Sequence, residues 1–419
     1  MENISLENLN VVITLGGKGT RLSEITKGIP KPLWRICGMS TLERATKVIS
    51  EQGINDFIWI INYKADDFRE ELNMLTKKYN VNIQIYQETI ELGEAGSLLE
   101  IYSLLNESFL FINGDIIFDI DIIRFYQFHI LNNADITFIT HLTNHPEDSD
   151  CISETPSLNI YDFKYKSDKN NLNDFYLGNA GIALIQKKIV NFVKSNAQRK
   201  KQNLSLFNDF IIFSHINKFK VFSYNTSEYL KDMGTSKRLL MVENDIKSNL
   251  ISNNSYRIKQ KALFLDRDNT LIKCEESNYI LNKDQIEIID NHIDKIKKVA
   301  LNYNFIILIT NQPQIAMGKV SYQEVININS KLILMCQQKG LNIACVYLCP
   351  HHPHAGFVDE IESLKKVCFC RKPMPGLFYE ASINRNICLE SSHFIGDSWR
   401  DSLSANKLNM KFSWIQNLK

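Results

Sequence analysis

Two carboxylates spaced i, i+2, Asp266 and Asp268, close the run Leu263-Phe264-Leu265-Asp266-Arg267-Asp268-Asn269-Thr270. Such an apolar run reads as a buried strand of a parallel sheet. Ligands of these sheets sit beyond the carboxyl ends of the strands. Two acids at a strand tip are costly unless they hold a cation or do chemistry. Short Asp-x-Asp matches arise by chance, so the residues downstream carry the weight. Thr310 and Asn311 end a second apolar run. Lys372 comes after a cysteine-rich loop, and Asp397 and Asp401 come after His393-Phe394-Ile395-Gly396. Phosphoryl transfer through a carboxylate nucleophile needs this set. One carboxylate attacks phosphorus. A second gives and takes a proton. Others hold Mg²⁺, and a lysine and a hydroxyl neutralise phosphoryl oxygens.

Nine cysteines are present. Cys349-Pro350-His351 and Cys368-Phe369-Cys370 form two tight pairs flanking sixteen residues. Three thiolates and one imidazole suit a closed tetrahedral Zn²⁺ site, structural rather than catalytic. His352 and His354 read as solvent-facing.

The first half carries a second constellation. Gly16-Gly17-Lys18-Gly19-Thr20-Arg21-Leu22 follows the strand candidate Val11–Leu15. It lacks the ending of a Walker loop and the third glycine of a Rossmann fingerprint. Gly16, Gly17 and Gly19 still let backbone N–H groups approach a triphosphate. Arg21 can neutralise pyrophosphate, and Lys31, between Pro30 and Pro32, can hold an α-phosphate. Asp115 ends a strand in Asn113-Gly114-Asp115, and Asp232 lies in Lys231-Asp232-Met233-Gly234-Thr235. Two carboxylates at strand ends can share one Mg²⁺.

The elements that position these residues alternate strand and helix in both halves, which argues for α/β sheets. Helices are expected over Ser40–Gln52, Asp66–Tyr79, Gly96–Leu105, Lys187–Ser195, Leu206–Ser214, Asn291–Asn302, Tyr322–Lys339 and Pro375–Asn384. The chain has 419 residues, too many for one ordinary core. Lys247–Gln260, rich in Asn, Ser and Lys, is the expected linker. The expected domains are residues 1–250 and 258–419. A net charge of +1 gives no broad field for nucleic acid or acidic membranes. No apolar run could span a bilayer. The polar, acidic N-terminus does not read as a signal peptide, so the cytoplasm is the expected location.

The second half resembles the haloacid-dehalogenase (HAD) superfamily, subclass III. The resemblance implies Asp266 as nucleophile and Asp268 as general acid and base. It places Thr310, Asn311 and Lys372 on the phosphate. Mg²⁺ would be held by Asp266, Asp397 and the main-chain carbonyl of Asp268. The Cys349, His351, Cys368, Cys370 loop and Cys370-Arg371-Lys372-Pro373 resemble the D-glycero-D-manno-heptose 1,7-bisphosphate 7-phosphatases, a loop shared with histidinol phosphatases. Arg371 would then reach the distal phosphate or sugar. Departures are Met317, where the family pattern carries Arg, and Asn269, where it carries Gly.

The first half resembles sugar-1-phosphate nucleotidyltransferases, with heptose 1-phosphate and mannose 1-phosphate guanylyltransferases nearest. That implies Arg21 and Lys31 as catalytic cations and Asp115 and Asp232 on Mg²⁺. Glu88 and Gly93 would line the nucleotide pocket, and Asn179 and Gly181 would approach the sugar. Glu94 stands where Thr is usual, and no Glu-Lys pair precedes Asn179-Ala180-Gly181. The implied fold is two doubly wound α/β domains: a Rossmann-like mixed sheet, then a HAD-like parallel sheet with a zinc loop. The implied function is bifunctional: a bisphosphate phosphatase feeding a nucleotidyltransferase, with GTP and sugar phosphates as ligands. Two alternatives stay open. One is the same chemistry on another sugar; the other is a phosphatase with a catalytically silent nucleotide-sugar-binding module.

Overall fold

The computed structural model describes residues 6, 8–16, 26–62, 65–143, 149–154, 160–165, 177–196, 203–274, 279–354 and 356–418. Among the described residues, the first compact unit takes in residues 6–141, 149–165 and 177–255, and the second takes in Leu142, Thr143 and residues 256–418.

The first unit is built on strand β1 (Leu9–Thr14), in which Val11, Val12 and Ile13 are all fully buried. Successive side chains of a strand point to opposite faces, so both faces of the sheet are covered. β1 pairs in parallel with β2 (Asp56–Ile61) on one side, and β2 with β3 (Asn82–Gln87). On its other side it pairs in parallel with β4 (Ser108–Asn113). Two short strands outside this sheet, β5 (Ile116–Asp119) and, further on, Tyr229–Asp232, pair antiparallel. The sheet continues through β6 (Ile136–Leu142), β7 (Cys151–Glu154), β8 (Ile160–Lys164), β9 (Leu177–Gln186) and β10 (Val221–Asn225), nine strands among the described residues. β9 is antiparallel to β4 and β7, so the sheet is mixed. Helix α1 (Thr41–Ser50) is capped by Ser40, whose hydroxyl accepts from Glu43 N at 2.9 Å. It buries Leu42, Ala45 and Ile49 along one stripe.

Two expected helices take other forms. Gly96–Leu105 is not an α-helix but two 3₁₀ turns, Gly96–Leu99 and Tyr102–Leu104. The chain entering it is tied sideways: Ala95 N donates to Leu204 O and Leu204 N to Leu92 O, both at 2.9 Å. Glycine and serine then begin it, and both favour helix weakly. Leu206–Ile212 is a π-helix continuing into the α-turn Phe213–Ile216. The expected linker holds the end of a helix (Ser236–Lys247) and a short one, Leu250–Asn253.

The second unit is a five-stranded, all-parallel sheet. Its strands are β11 (Ala262–Leu265), β12 (Phe305–Asn311), β13 (Ile343–Cys349), β14 (His393–Gly396) and β15 (Lys411–Trp414), in the order β13-β12-β11-β14-β15. Phe264 packs into the core of one face, and Leu263 and Leu265 into that of the other. β11 lies between strands reached in opposite directions, so its carboxyl end opens on the crevice of a doubly wound sheet. Asn269, just beyond it, has φ +55°. Asparagine tolerates that conformation, and its Oδ1 accepts from Cys274 N at 2.9 Å. The glycine of the family pattern is therefore replaced without a clash. No helix of the described residues is long and apolar enough to cross a membrane.

Among the described residues, each unit holds one buried histidine. His129 Nδ1 lies 2.8 Å from Thr137 Oγ1 and its Nε2 3.2 Å from Gln186 Nε2. Burial pushes its pKa down to about 4, with the Asp135 charge opposing. His393 is driven down to about 4 by burial and then by Lys411. The folded pKa of each lies below the unfolded value of about 6.5. The unfolded chain therefore binds more protons in between, and stability is full above that value and lost as pH falls toward 4. Each site contributes roughly 3 kcal/mol to this loss. Denaturant midpoints measured from pH 7 to pH 4.5 should fall, and His129→Gln should flatten the slope for the first unit.

Candidate active sites

In the second unit, the ends of β11, β12 and β14 meet around one lysine. Lys372 is 4% exposed. Its Nζ lies 2.6 Å from Asp266 Oδ1 and 2.7 Å from Asp401 Oδ1. Asp266, Asp397 and Asp401 each bring a carboxylate oxygen within 4.8 Å of the others. Burial pushes Asp266 well above the usual carboxylate range, and the Lys372 ammonium opposes it. Asp397 is raised by burial and then by Asp401. Burial disfavours the charge on Lys372, but Asp266 and Asp401 outweigh it and hold its pKa up. Three carboxylates face one ammonium, an imbalance that a hard divalent cation with oxygen ligands would neutralise. The donor set fits such an ion.

Asp401 is no surface acid: it is fully buried. It sits in the first turn of the helix Trp399–Lys407, where it accepts from Ser398 N at 3.1 Å and Ser398 Oγ at 2.7 Å. A Cβ on Gly396 would come within 2.6 Å of Asp401 Oδ2, so this approach requires glycine. The Asp268 carboxylate is held apart from that cluster. Arg267 Nε donates to its Oδ1 at 3.0 Å, Arg267 Nη2 to Oδ2 at 3.2 Å, and Gln312 Nε2 to Oδ2 at 3.1 Å.

Asn311 spends its amide on the lysine's backbone. Its Nδ2 donates to Lys372 O at 3.1 Å and its Oδ1 accepts from Lys372 N at 3.0 Å. Thr310 is fully buried, and its Oγ1 accepts from Gln312 Nε2 at 2.8 Å. Met317 is buried.

Cys349, at the end of β13, gathers His351, Cys368 and Cys370. The sulfurs of Cys349 and Cys370 are 3.2 Å apart, those of Cys368 and Cys370 3.3 Å, and His351 Nδ1 is 3.1 Å from Cys370 Sγ. The three cysteines are free, and with His351 they offer four ligand atoms that could hold one metal ion. His352 and His354 stay outside this group and contact each other. Arg371 Nη1 donates to His351 O at 3.1 Å, tying this cluster to the segment that carries Lys372.

In the first unit, Lys31 stands on a 3₁₀ turn (Lys31–Leu33) after Pro30. Its Nζ is 2.6 Å from Asp115 Oδ2. Asp115 follows β4 through Gly114, whose N donates to Thr14 O at 3.0 Å. Asp232 ends the strand Tyr229–Asp232 opposite Ile116, and Met233 N donates to Asp115 O at 3.2 Å. The two acids are therefore neighbours. Arg238, which the sequence does not single out, places Nη1 2.8 Å from both oxygens of Asp232. Burial raises the Asp232 pKa, but the Gly234 N–H and Arg238 outweigh it and leave it lowered.

Gly181, with φ +70°, comes so close to β4 that a Cβ there would lie 2.5 Å from Asn113 Nδ2. Asn179 Oδ1 accepts from Gly181 N at 3.2 Å. Asn179 and Gly181 thus stand beside Asn113-Gly114-Asp115. Glu88 is buried, accepts from Ser97 Oγ, and lies next to Gly16. Gly93 has φ +82° and packs against the Leu204 backbone. Glu94 accepts from Asn113 Nδ2 at 2.5 Å and Leu206 N at 3.0 Å, and burial raises its pKa. Gly17, Gly19 and Arg21 lie outside the described residues.

Residues 10–249 match the nucleotidyl transferase family model, more than half of the chain. Residues 261–414 match the model described as polynucleotide kinase 3 phosphatase. The Yersinia pestis D-glycero-beta-D-manno-heptose-1,7-bisphosphate 7-phosphatase is 30% identical over 149 residues, which cover 36% of this chain and 76% of that protein. The Escherichia coli K12 protein of the same name is also 30% identical, with 36% and 75% covered. The chain belongs to the nucleotidyl transferase family in its first half and to that 7-phosphatase family in its second. A Bacillus anthracis structure named for glucose-1-phosphate thymidylyltransferase shares the fold of the nucleotidyl transferase unit. It has a TM-score of 0.52 and 19% identity, over 57% of this chain and 94% of that one.

The balance at Lys372 is testable without substrate. Lys372→Met leaves the buried Asp266 and Asp401, and Asp397 beside them, without their ammonium and should cost about 3–5 kcal/mol in chelator. Added divalent cation should recover much of that loss in thermal unfolding. Equal stability of variant and wild type in chelator would contradict this charge balance.

Proposed function

We propose that the chain is a bifunctional enzyme of nucleotide-activated heptose synthesis. Its second unit removes the 7-phosphate of a D-glycero-D-manno-heptose 1,7-bisphosphate. Its first unit transfers a nucleotidyl group, GMP from GTP, to the resulting heptose 1-phosphate. The observation that carries this reading is the pairing of two strand-end sites in one chain, where the product of one chemistry is the substrate of the other. The 7-phosphatase relatives support the sugar, and the sequence resemblance to heptose 1-phosphate guanylyltransferases supports the base.

In the phosphatase unit, Asp266 is the nucleophile and forms an aspartyl phosphate. Asp268 protonates the leaving oxygen and then takes a proton from the attacking water. Lys372 neutralises phosphoryl oxygens, with Thr310 beside them, while Asn311 fixes the lysine's backbone. Arg371 reaches the far end of the substrate. Asp266, Asp397 and the Asp268 carbonyl hold Mg²⁺, with Asp401 completing the acidic group; the ion when bound neutralises the phosphate and aligns it. Cys349, His351, Cys368 and Cys370 would hold Zn²⁺, which would brace the loop ahead of Lys372.

In the transferase unit, an oxygen of the sugar 1-phosphate attacks the α-phosphorus and pyrophosphate leaves, with no covalent intermediate. Lys31 holds the α-phosphate and Arg21 the departing pyrophosphate. Gly16, Gly17 and Gly19 present N–H groups to the triphosphate, and Glu88 and Gly93 line the nucleotide pocket. Asn179 and Gly181 meet the sugar. Asp115 and Asp232 hold Mg²⁺, which when bound offsets charge on the triphosphate. One observation favours a second reading, a nucleotide-sugar-binding module without transfer activity: Arg238 already occupies both oxygens of Asp232.

Asp266→Asn should abolish phosphate release and leave nucleotidyl transfer from heptose 1-phosphate intact, and Asp115→Asn should do the reverse. Loss of both activities from either change would sink the two-site reading. Wild-type protein that releases phosphate but transfers no nucleotide would favour the binding module. Metal analysis of the same preparations should find about one zinc per chain, and zinc-free folded protein would remove that assignment.

A further inference from the structure

Arg267 is 1% exposed, one of the largest fully buried side chains of the molecule. Burying a guanidinium costs several kcal/mol unless its partners are well placed. Its carboxylate partner here is the adjacent Asp268, whose side chain is 27% exposed. A carboxylate that already reaches water does not need a buried partner for its own solvation. The pairing therefore calls for another explanation.

The geometry supplies one. Nε and Nη2 of Arg267 engage Oδ1 and Oδ2 of Asp268 at 3.0 and 3.2 Å. A two-point fork fixes the plane of a carboxylate as well as its position. The far nitrogen, Nη1, donates to Asn329 Oδ1 at 3.1 Å, on the helix Tyr322–Gln338. Asn329 is itself 2% exposed. Gln312 Nε2 also donates to Asp268 Oδ2 at 3.1 Å, and Gln312 Oε1 accepts from the buried Gln314 Nε2 at 2.5 Å. The Asp268 side chain is not one of the three carboxylates that converge beside Lys372. A carboxylate drawn onto a cation is a poor proton donor, so keeping one acid out of that group preserves its use.

We propose that Arg267 is a positioning residue that holds Asp268 out of the acidic cluster and aims it at the leaving oxygen, with Asn329 anchoring the guanidinium. This rests on the phosphatase reading. In the first step a bond forms between an Asp266 oxygen and phosphorus, and the bond from phosphorus to the leaving oxygen breaks. A proton passes from the Asp268 carboxyl to that oxygen. Asp268 is left as a carboxylate, the form that the donors of Arg267 and Gln312 hold. In the second step water attacks phosphorus, its proton returns to Asp268, and phosphate and the Asp266 carboxylate are released.

The test compares first-turnover rates on p-nitrophenyl phosphate and phenyl phosphate, using the full chain with Mg²⁺. The two probes are close in shape, but the phenolate is the stronger base and depends more on a proton as it leaves. Asn329→Leu and Arg267→Lys should each slow phenyl phosphate at least about tenfold more than p-nitrophenyl phosphate. Equal losses on both probes would show a merely structural role and overturn the proposal. Asn329→Leu keeps the guanidinium and removes only its anchor, so the comparison survives if Arg267→Lys does not fold. Wild-type protein with no Asp266-dependent release from either probe would remove the phosphatase reading, and this proposal with it. A selective loss on phenyl phosphate, by contrast, would stand whatever sugar the enzyme uses.

Discussion

The second unit is organised around one ammonium group. Lys372 Nζ sits between Asp266 and Asp401 at 2.6 and 2.7 Å, with almost no access to water. Several elements of the unit bear on that contact. The buried apolar run of β11 delivers Asp266. Gly396 and the first turn of the following helix let Asp401 approach. Asn311, at the end of β12, grips the lysine's backbone from both sides. The thiol and imidazole cluster lies just ahead of Lys372 in the chain, and Arg371 ties the two together. Removing Asp266 or Asp401 leaves the buried ammonium with fewer partners, which costs far more than a surface contact.

The first unit solves a similar problem differently. Lys31 also meets a strand-end acid at 2.6 Å, but Asp115 is 43% exposed. Charge there is screened by water, so the pair stabilises the fold little. The close packing lies instead in the backbone around it, at Gly114, Gly181 and the loop held by Glu94. One unit thus buries both partners of its central ion pair, and in the other the Asp115 partner reaches water.

Strand-end acids were legible because an apolar run stops abruptly at a charge, and that pattern is local. Asp266, Asp115 and Asp397 could be picked out in this way. So could the pairs Cys349/His351 and Cys368/Cys370, whose spacing within each pair carries the signal. Asp401 was harder, because its burial depends on a glycine five residues earlier and on the turn between them. Arg267 and Asn329 were not legible as partners. Their contact joins a strand exit to the middle of a helix 62 residues away, and no local pattern reports it. Arg238 on Asp232 is similar. The 3₁₀ turns from Gly96 and the π-helix after Ser205 escaped because hydrogen bonds between distant parts of the chain, at Ala95, Leu204 and Leu206, override the local apolar spacing.

Two chemistries in one chain, acting in sequence on one sugar, are what most needs a direct measurement. The intact protein is supplied with Mg²⁺ and D-glycero-D-manno-heptose 1,7-bisphosphate, in each anomer separately. Each common nucleoside triphosphate is added in turn, and products are read by mass spectrometry. The expected result is phosphate release together with a GDP-heptose mass, from GTP and the α anomer alone. Phosphate release with no nucleotide sugar from any triphosphate would contradict the sequential reading.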